Sequence, residues 1–208
     1  MAGINTIFYV IVLIMSVVVH EVAHGFVADK QGDPTARYAG RLTLNPLRHL
    51  DLMGSIVLPA LLVLFNAGFV IGWAKPVPYN ERNLRNKRYG TALVACAGII
   101  ANFILAIIFG LSIRFAYLLG AGAPAYISIA TAITIVNILL GFFNLIPIPP
   151  LDGSKILFSL AGNRLSRFQK IAESLSLLFL LVFIVILWPI IISPLVGFVF
   201  SALSGIVL

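Results

Sequence analysis

The stretch IFYVIVLIMSVVVHEVAH, Ile7–His24, decides how the rest of the chain is read. From Ile7 to Val19 it is apolar apart from Ser16, so a helix built from it has no polar face to offer water. That pattern belongs to a membrane segment. Yet the same run continues directly into His20, Glu21 and His24. It lacks a basic leader and a small-residue cleavage site, and is therefore read as a retained first transmembrane helix rather than a signal peptide.

Composition extends this reading to the whole chain. Its 208 residues are 61% hydrophobic and 10% charged, with a mean hydropathy of +1.08, whereas a soluble domain carries about 25% charged residues. The expectation is one membrane-embedded domain over 1–208, with a core at 4–160 and C-terminal helices at 173–208. The net charge of +7 sits in short loops between apolar segments. It is not spread along one face with interleaved aromatics, so it reads as a topology signal and not as a nucleic-acid surface. The single cysteine, Cys96, excludes an internal disulfide and a thiolate-rich zinc site.

Apolar stretches lie at about 4–28, 54–72, 91–119, 125–146 and 173–192. Spanning takes about 20 apolar residues, which the first, third, fourth and fifth supply. The second is interrupted by Pro59, Asn66, Gly68 and Gly72. Arg37, Arg41 and Arg48 precede it, while Lys75, Arg82, Arg85, Lys87 and Arg88 follow it, so both flanks read as cytoplasmic. A re-entrant helix with an extended return over Gly68–Trp73 is the economical path. The tail after Pro194 is too short to span alone and either lies in the interface or packs on the bundle. The expected fold is an all-α polytopic membrane protein: about four spanning helices, a re-entrant segment, a short extended edge and a C-terminal membrane-associated helix.

His20-Glu21-Val22-Ala23-His24 is an H-E-x-x-H sequence. Its histidines lie about 40° apart around a helix and about 6 Å along it, so both imidazoles can reach one metal ion. Glu21 projects between them, where it can take a proton from a water on that metal. The competing reading is a buried polar cluster that merely knits helices together. Histidines and a carboxylate at bilayer depth are costly unless paired or coordinated, which favours the metal. A catalytic zinc needs a third protein ligand, and the candidate is Asp152, in NLIPIPPLDG at 144–153. By itself Asp152 reads equally well as an N-cap of the next helix. It meets His20 and His24 only if an even number of crossings separates them, which again makes 54–72 re-entrant.

These residues resemble the site-2 protease family of intramembrane zinc metalloproteases. The resemblance rests on HEVAH at 20–24 and NLIPIPPLDG at 144–153, with G-x-x-x-N at Gly98–Asn102. Gly32-Asp-Pro-Thr-Ala, Gly40-Arg-Leu-Thr-Leu-Asn-Pro and Trp73-Ala-Lys-Pro-Val-Pro also look like its compact members, which lack a PDZ or CBS module; the match covers about 8–160. It implies that His20, His24 and Asp152 bind Zn2+, that Glu21 is the general base, and that Asn144 contacts substrate or stabilises the oxyanion. Two positions depart from the family pattern. Ile99 stands where the family often has proline, which leaves the local helix start open, and Ser154 stands where a second glycine is common.

The implied activity is hydrolysis of peptide bonds in transmembrane substrates within the lipid, from a site toward the cytoplasmic face of a prokaryotic cell membrane. No soluble cofactor and no nucleic-acid partner are expected. A substrate helix must unwind to be cut, and an edge at Val70 and Ile71 is the candidate for holding it extended by strand addition. A plain return loop is the alternative for that stretch. His49, between Arg48 and Asp51, reads as a surface histidine. Asn102 reads as an interhelical hydrogen-bonder, and Trp73 and Trp188 as interfacial anchors. A metal-ion transporter and a catalytically silent metal-binding scaffold are the competing functions.

Overall fold

The computed structural model describes the backbone of residues 2–57, 61, 64–65, 75–86, 89–120 and 122–206. Among the described residues the secondary structure is helical throughout, and four helices are long and apolar enough to cross a membrane. The extended edge expected at 68–73, with Val70, Ile71 and Trp73, lies outside the described residues, as does much of 54–72.

Helix α1 (Ala2–Lys30) contains no proline and carries Lys30 in its last turn, where a cation complements the helix dipole. It stops at Gly32, whose φ of 101° reverses the chain, while the Asp33 N–H reaches back to the Ala28 carbonyl at 3.0 Å. A short helix α2 (Thr35–Tyr38), a 3-10 turn at Pro46–Arg48 and a π-helical turn at Leu52–Val57 follow. Helix α3 (Gly90–Leu118) is the centre of the molecule, packed against α1 and against α4 (Pro124–Leu145). Small buried residues on α3, including Ala92, Ala95, Gly98 and Ala106, let its neighbours approach closely. Pro124 starts α4 where its missing N–H costs nothing. Pro147 ends it by forcing Ile146 into extended backbone, with ψ at 132°.

Helices α5 (Asp152–Ala161) and α6 (Ser166–Ser174) are short and amphipathic, and α7 (Ser176–Ser204) crosses last. Here the structure differs from the sequence reading, which ends the last span at Ile192. Residues Phe183–Ile192 adopt π geometry around Pro189, and the Ser193 N–H bonds to the Trp188 carbonyl five residues back. This wider register absorbs the N–H that proline lacks, so the helix continues through Pro194. The tail packs on the bundle through buried Val196, Phe200 and Ser204. Trp188 consequently lies mid-helix, against Phe143 and Phe183 at centroid distances of 5.7 and 6.2 Å, and not at a segment end.

Two apolar centres result. One joins α3, α4 and α7 through Ala106, Ile113, Ala130, Ile138, Phe183, Ile192, Val196 and Phe200. The other joins α1, the 75–84 segment and the start of α3 through Ala28, Leu84 and Val94. Between Asp152 and the histidines the described chain crosses twice, by α3 and α4. The even count brings the start of α5 back to the end of α1.

Candidate metal centre

His20 and His24 lie one turn apart on α1, both about 6% exposed. Asp152, the first residue of α5, meets them. Its Oδ2 lies 3.0 Å from His20 Nε2 and 3.0 Å from His24 Nε2, and the two Nε2 atoms are 3.0 Å from each other. The N-cap of α5 is Leu151, so the competing capping role for Asp152 is not the one it takes.

Hydrogen bonding fixes what these three atoms present. His24 Nδ1 lies 2.7 Å from the Val94 carbonyl, an obligate acceptor, so Nδ1 carries the hydrogen and Nε2 the lone pair. For His20 the same deduction runs through four groups. The Ile133 carbonyl accepts from Asn137 Nδ2 at 2.9 Å, which turns Asn137 Oδ1 toward Asn102 Nδ2 at 3.0 Å. Asn102 Oδ1 therefore faces His20 Nδ1 at 2.6 Å, and that nitrogen donates. Ser16 completes the chain, its Oγ accepting from Asn137 Nδ2 at 2.9 Å. In these neutral tautomers two nitrogen lone pairs and a carboxylate oxygen converge on one point.

A proton could serve one edge of that triangle, whereas a cation satisfies all three corners. Tetrahedral zinc, with bonds of about 2.0–2.1 Å, spaces its ligands by about 3.3 Å. The 3.0 Å edges need to open by only a few tenths of an ångström. The donor set therefore fits zinc, with the histidine tautomers held by partners beyond the ligands, as metal-binding histidines require.

Gly98 makes room for the rings. A Cβ there would lie 2.5 Å from His24 Cε1 and 2.6 Å from His20 Cε1, so the G-x-x-x-N pattern has a physical basis. Gly98 admits the imidazoles, and Asn102, one turn on, accepts from one of them. The interhelical role expected of Asn102 is real, through Asn137, but covers only half of what it does. Ile99 disturbs nothing at the helix start, since α3 begins upstream at Gly90. Ser154 donates to the Leu151 carbonyl at 2.7 Å, away from the triad.

One participant, Lys155, carries no signal in the sequence. Lys155 reads as a loop cation, but its ammonium bonds Asp152 Oδ1 at 2.9 Å, leaving Oδ2 for the triangle. Burial opposes its charge, and the adjacent Asp152 carboxylate outweighs this and holds the Lys155 pKa above its ordinary value. Glu21 is half-buried, and its Oε2 accepts from the Val77 backbone N–H at 2.8 Å. Asn144, half-buried in the last turn of α4, gives one amide hydrogen to the Leu140 carbonyl at 3.0 Å and keeps the second. His49 is a correction. It is 1% exposed, with Nε2 bonded to the Thr43 carbonyl at 2.8 Å and its own carbonyl accepting from the Lys75 N–H at 2.8 Å.

Comparison with known proteins agrees with this geometry. The model of peptidase family M50 matches residues 8–122 and 120–187. A Bacillus subtilis protein named zinc metalloprotease YwhC is 40% identical, over 88% of this chain and 84% of its own length. A Mycolicibacterium smegmatis protein named zinc metalloprotease Rip2 is 33% identical, over 67% of this chain and 52% of its own. No solved structure matches. The chain belongs to peptidase family M50, the site-2 proteases, and is an integral-membrane, zinc-dependent metallopeptidase.

Proposed function

We propose that the protein hydrolyses peptide bonds of transmembrane substrates at a zinc held by His20, His24 and Asp152. The convergence of His20 Nε2, His24 Nε2 and Asp152 Oδ2 on one point, each about 3.0 Å from the other two, is the observation that carries this reading. When bound there, zinc supplies a Lewis acid and an acidified water. Glu21 takes the proton of the attacking water and later returns it to the leaving amine. The second Asn144 N–H donates to the substrate carbonyl oxygen as negative charge builds on it. His20 and His24 keep their lone pairs inward because Asn102 and Val94 hold their other nitrogens.

The catalytic site opens toward the cytoplasm. Of the fourteen basic residues, only Arg114 lies toward the far end of α3, and the others lie near the end of α1, before the start of α3, or along α5 and α6. Such an excess marks the cytoplasmic face. The substrate is a transmembrane segment unwound at the bond to be cut, with lipid around the rest of the bundle.

Co-expression with single-span membrane proteins tests this. Wild type should yield a shortened product, and Glu21→Gln should yield none while keeping one zinc per chain. Undiminished cleavage by Glu21→Gln, or metal flux in proteoliposomes without cleavage, would refute it.

A further inference from the structure

We infer that the segment Lys75–Asn83 is a clasp that positions Glu21, with the Val77 backbone N–H as its working donor. This rests on the reading of Glu21 as the base. A glutamate on an exposed helix face has three free side-chain torsions, and a base that wanders is a poor one, because proton transfer needs hydrogen-bond reach. Here one carboxylate oxygen is pinned. Val77 N–H donates to Glu21 Oε2 at 2.8 Å, leaving Oε1 to meet the water.

The sequence around Val77 suits that task. Pro76 and Pro78 have no N–H and fix their own φ, so Val77 presents an isolated donor on a stiffened backbone. Its side chain is 5% exposed and seated over Gly25, the residue after His24. A Cβ on Gly25 would lie 2.6 Å from Val77 Cγ1 and 2.8 Å from Leu42 Cδ2. The contact therefore requires glycine, and the clasp rests directly on the helix that carries His20 and His24.

Both ends of the clasp are tied down. At one, Lys75 N–H donates to the carbonyl of buried His49 at 2.8 Å. At the other, the Asp33 carboxylate accepts from Asn80 N–H and from Asn83 Nδ2, the latter at 2.9 Å. Asp33 is fully buried and also accepts from the Thr35 hydroxyl and N–H. Val77, His49 and Asp33 are thus positioning residues: each acts through the Glu21 carboxylate.

The test removes the N–H with one variant and truncates only the side chain with another. Val77→Pro should keep one zinc per chain and a KM within about twofold of wild type, while kcat falls about 10- to 100-fold, the scale set by misplacing a reacting group. Val77→Ala retains the N–H and should stay within about fivefold of wild type. A Val77→Pro kcat within twofold of wild type overturns the inference. If Val77→Pro loses zinc or fails to fold, hydrogen exchange decides. In a peptide spanning the segment, where the flanking prolines contribute no amide, Val77 exchange should quicken at least about tenfold in Glu21→Ala; equal rates overturn the inference. Cleavage that survives Glu21→Gln would instead sink the underlying catalytic reading.

Discussion

Replacing Asn102 by alanine cuts the support of His20 at a single, defined atom. Asn102 is 1% exposed, so water cannot take the place of Oδ1 opposite His20 Nδ1, and the 2.6 Å bond is lost outright. Asn137 Oδ1 is stranded as well, since its donor was Asn102 Nδ2 at 3.0 Å. A buried group left unpaired costs about 1–3 kcal/mol, and loss of such an outer partner typically weakens metal binding about 10- to 100-fold, or about 1.4–2.7 kcal/mol. Asn102→Asp separates the two losses, because it keeps an acceptor for His20 while putting a second acceptor oxygen where the donor to Asn137 stood. Zinc affinity, measured in detergent by competition with a chromophoric chelator, should fall about 10- to 100-fold in Asn102→Ala and much less in Asn102→Asp. An Asn102→Ala affinity within threefold of wild type would show that the tautomer chain does not support the metal.

Three further outcomes follow from the same geometry. Gly98→Ala drives a methyl into both imidazoles, 2.5–2.6 Å from their ring atoms, so zinc content should drop to a small fraction of wild type by elemental analysis. Lys155→Met frees Asp152 Oδ1 from its 2.9 Å partner and should weaken zinc binding by about tenfold, read by the same chelator competition. For Asp33, burial pushes the carboxyl up, but hydrogen bonds from Thr35, Asn80 and Asn83 outweigh it and hold the pKa below its ordinary value. A depressed folded pKa means that the carboxylate contributes stability fully present above the unfolded value of about 3.9 and lost as pH falls through the folded one. Thermal unfolding in detergent should show a gap between wild type and Asp33→Asn that is constant from about pH 8 to 5 and shrinks below about pH 4.

What the sequence disclosed divides along a physical line. HEVAH is legible because two ligands one turn apart are a local property, and its apolar surroundings make the histidines conspicuous. Asp152 is legible because prolines on one side and a helix start on the other leave it where two crossings return the chain. The support around them is not local. Ser16, Asn102 and Asn137 stand on three helices, and which amide faces which depends on helix rotations that no periodicity records. Val77 is invisible for a plainer reason: its contribution is a backbone N–H, and every residue but proline has one. Pro194 misled by following the usual rule for helix ends, which the continuous α7 overrides.

The zinc coordination shell tests the account most directly. X-ray absorption at the zinc edge of the purified, folded protein should give one ion per chain with two imidazole nitrogens and oxygen donors at about 2.0–2.1 Å; replacing either His20 or His24 should remove one imidazole from that shell, and replacing Asp152 should remove one oxygen. Stoichiometric zinc whose shell is unaltered by these replacements, or a folded protein that binds no zinc, would contradict it.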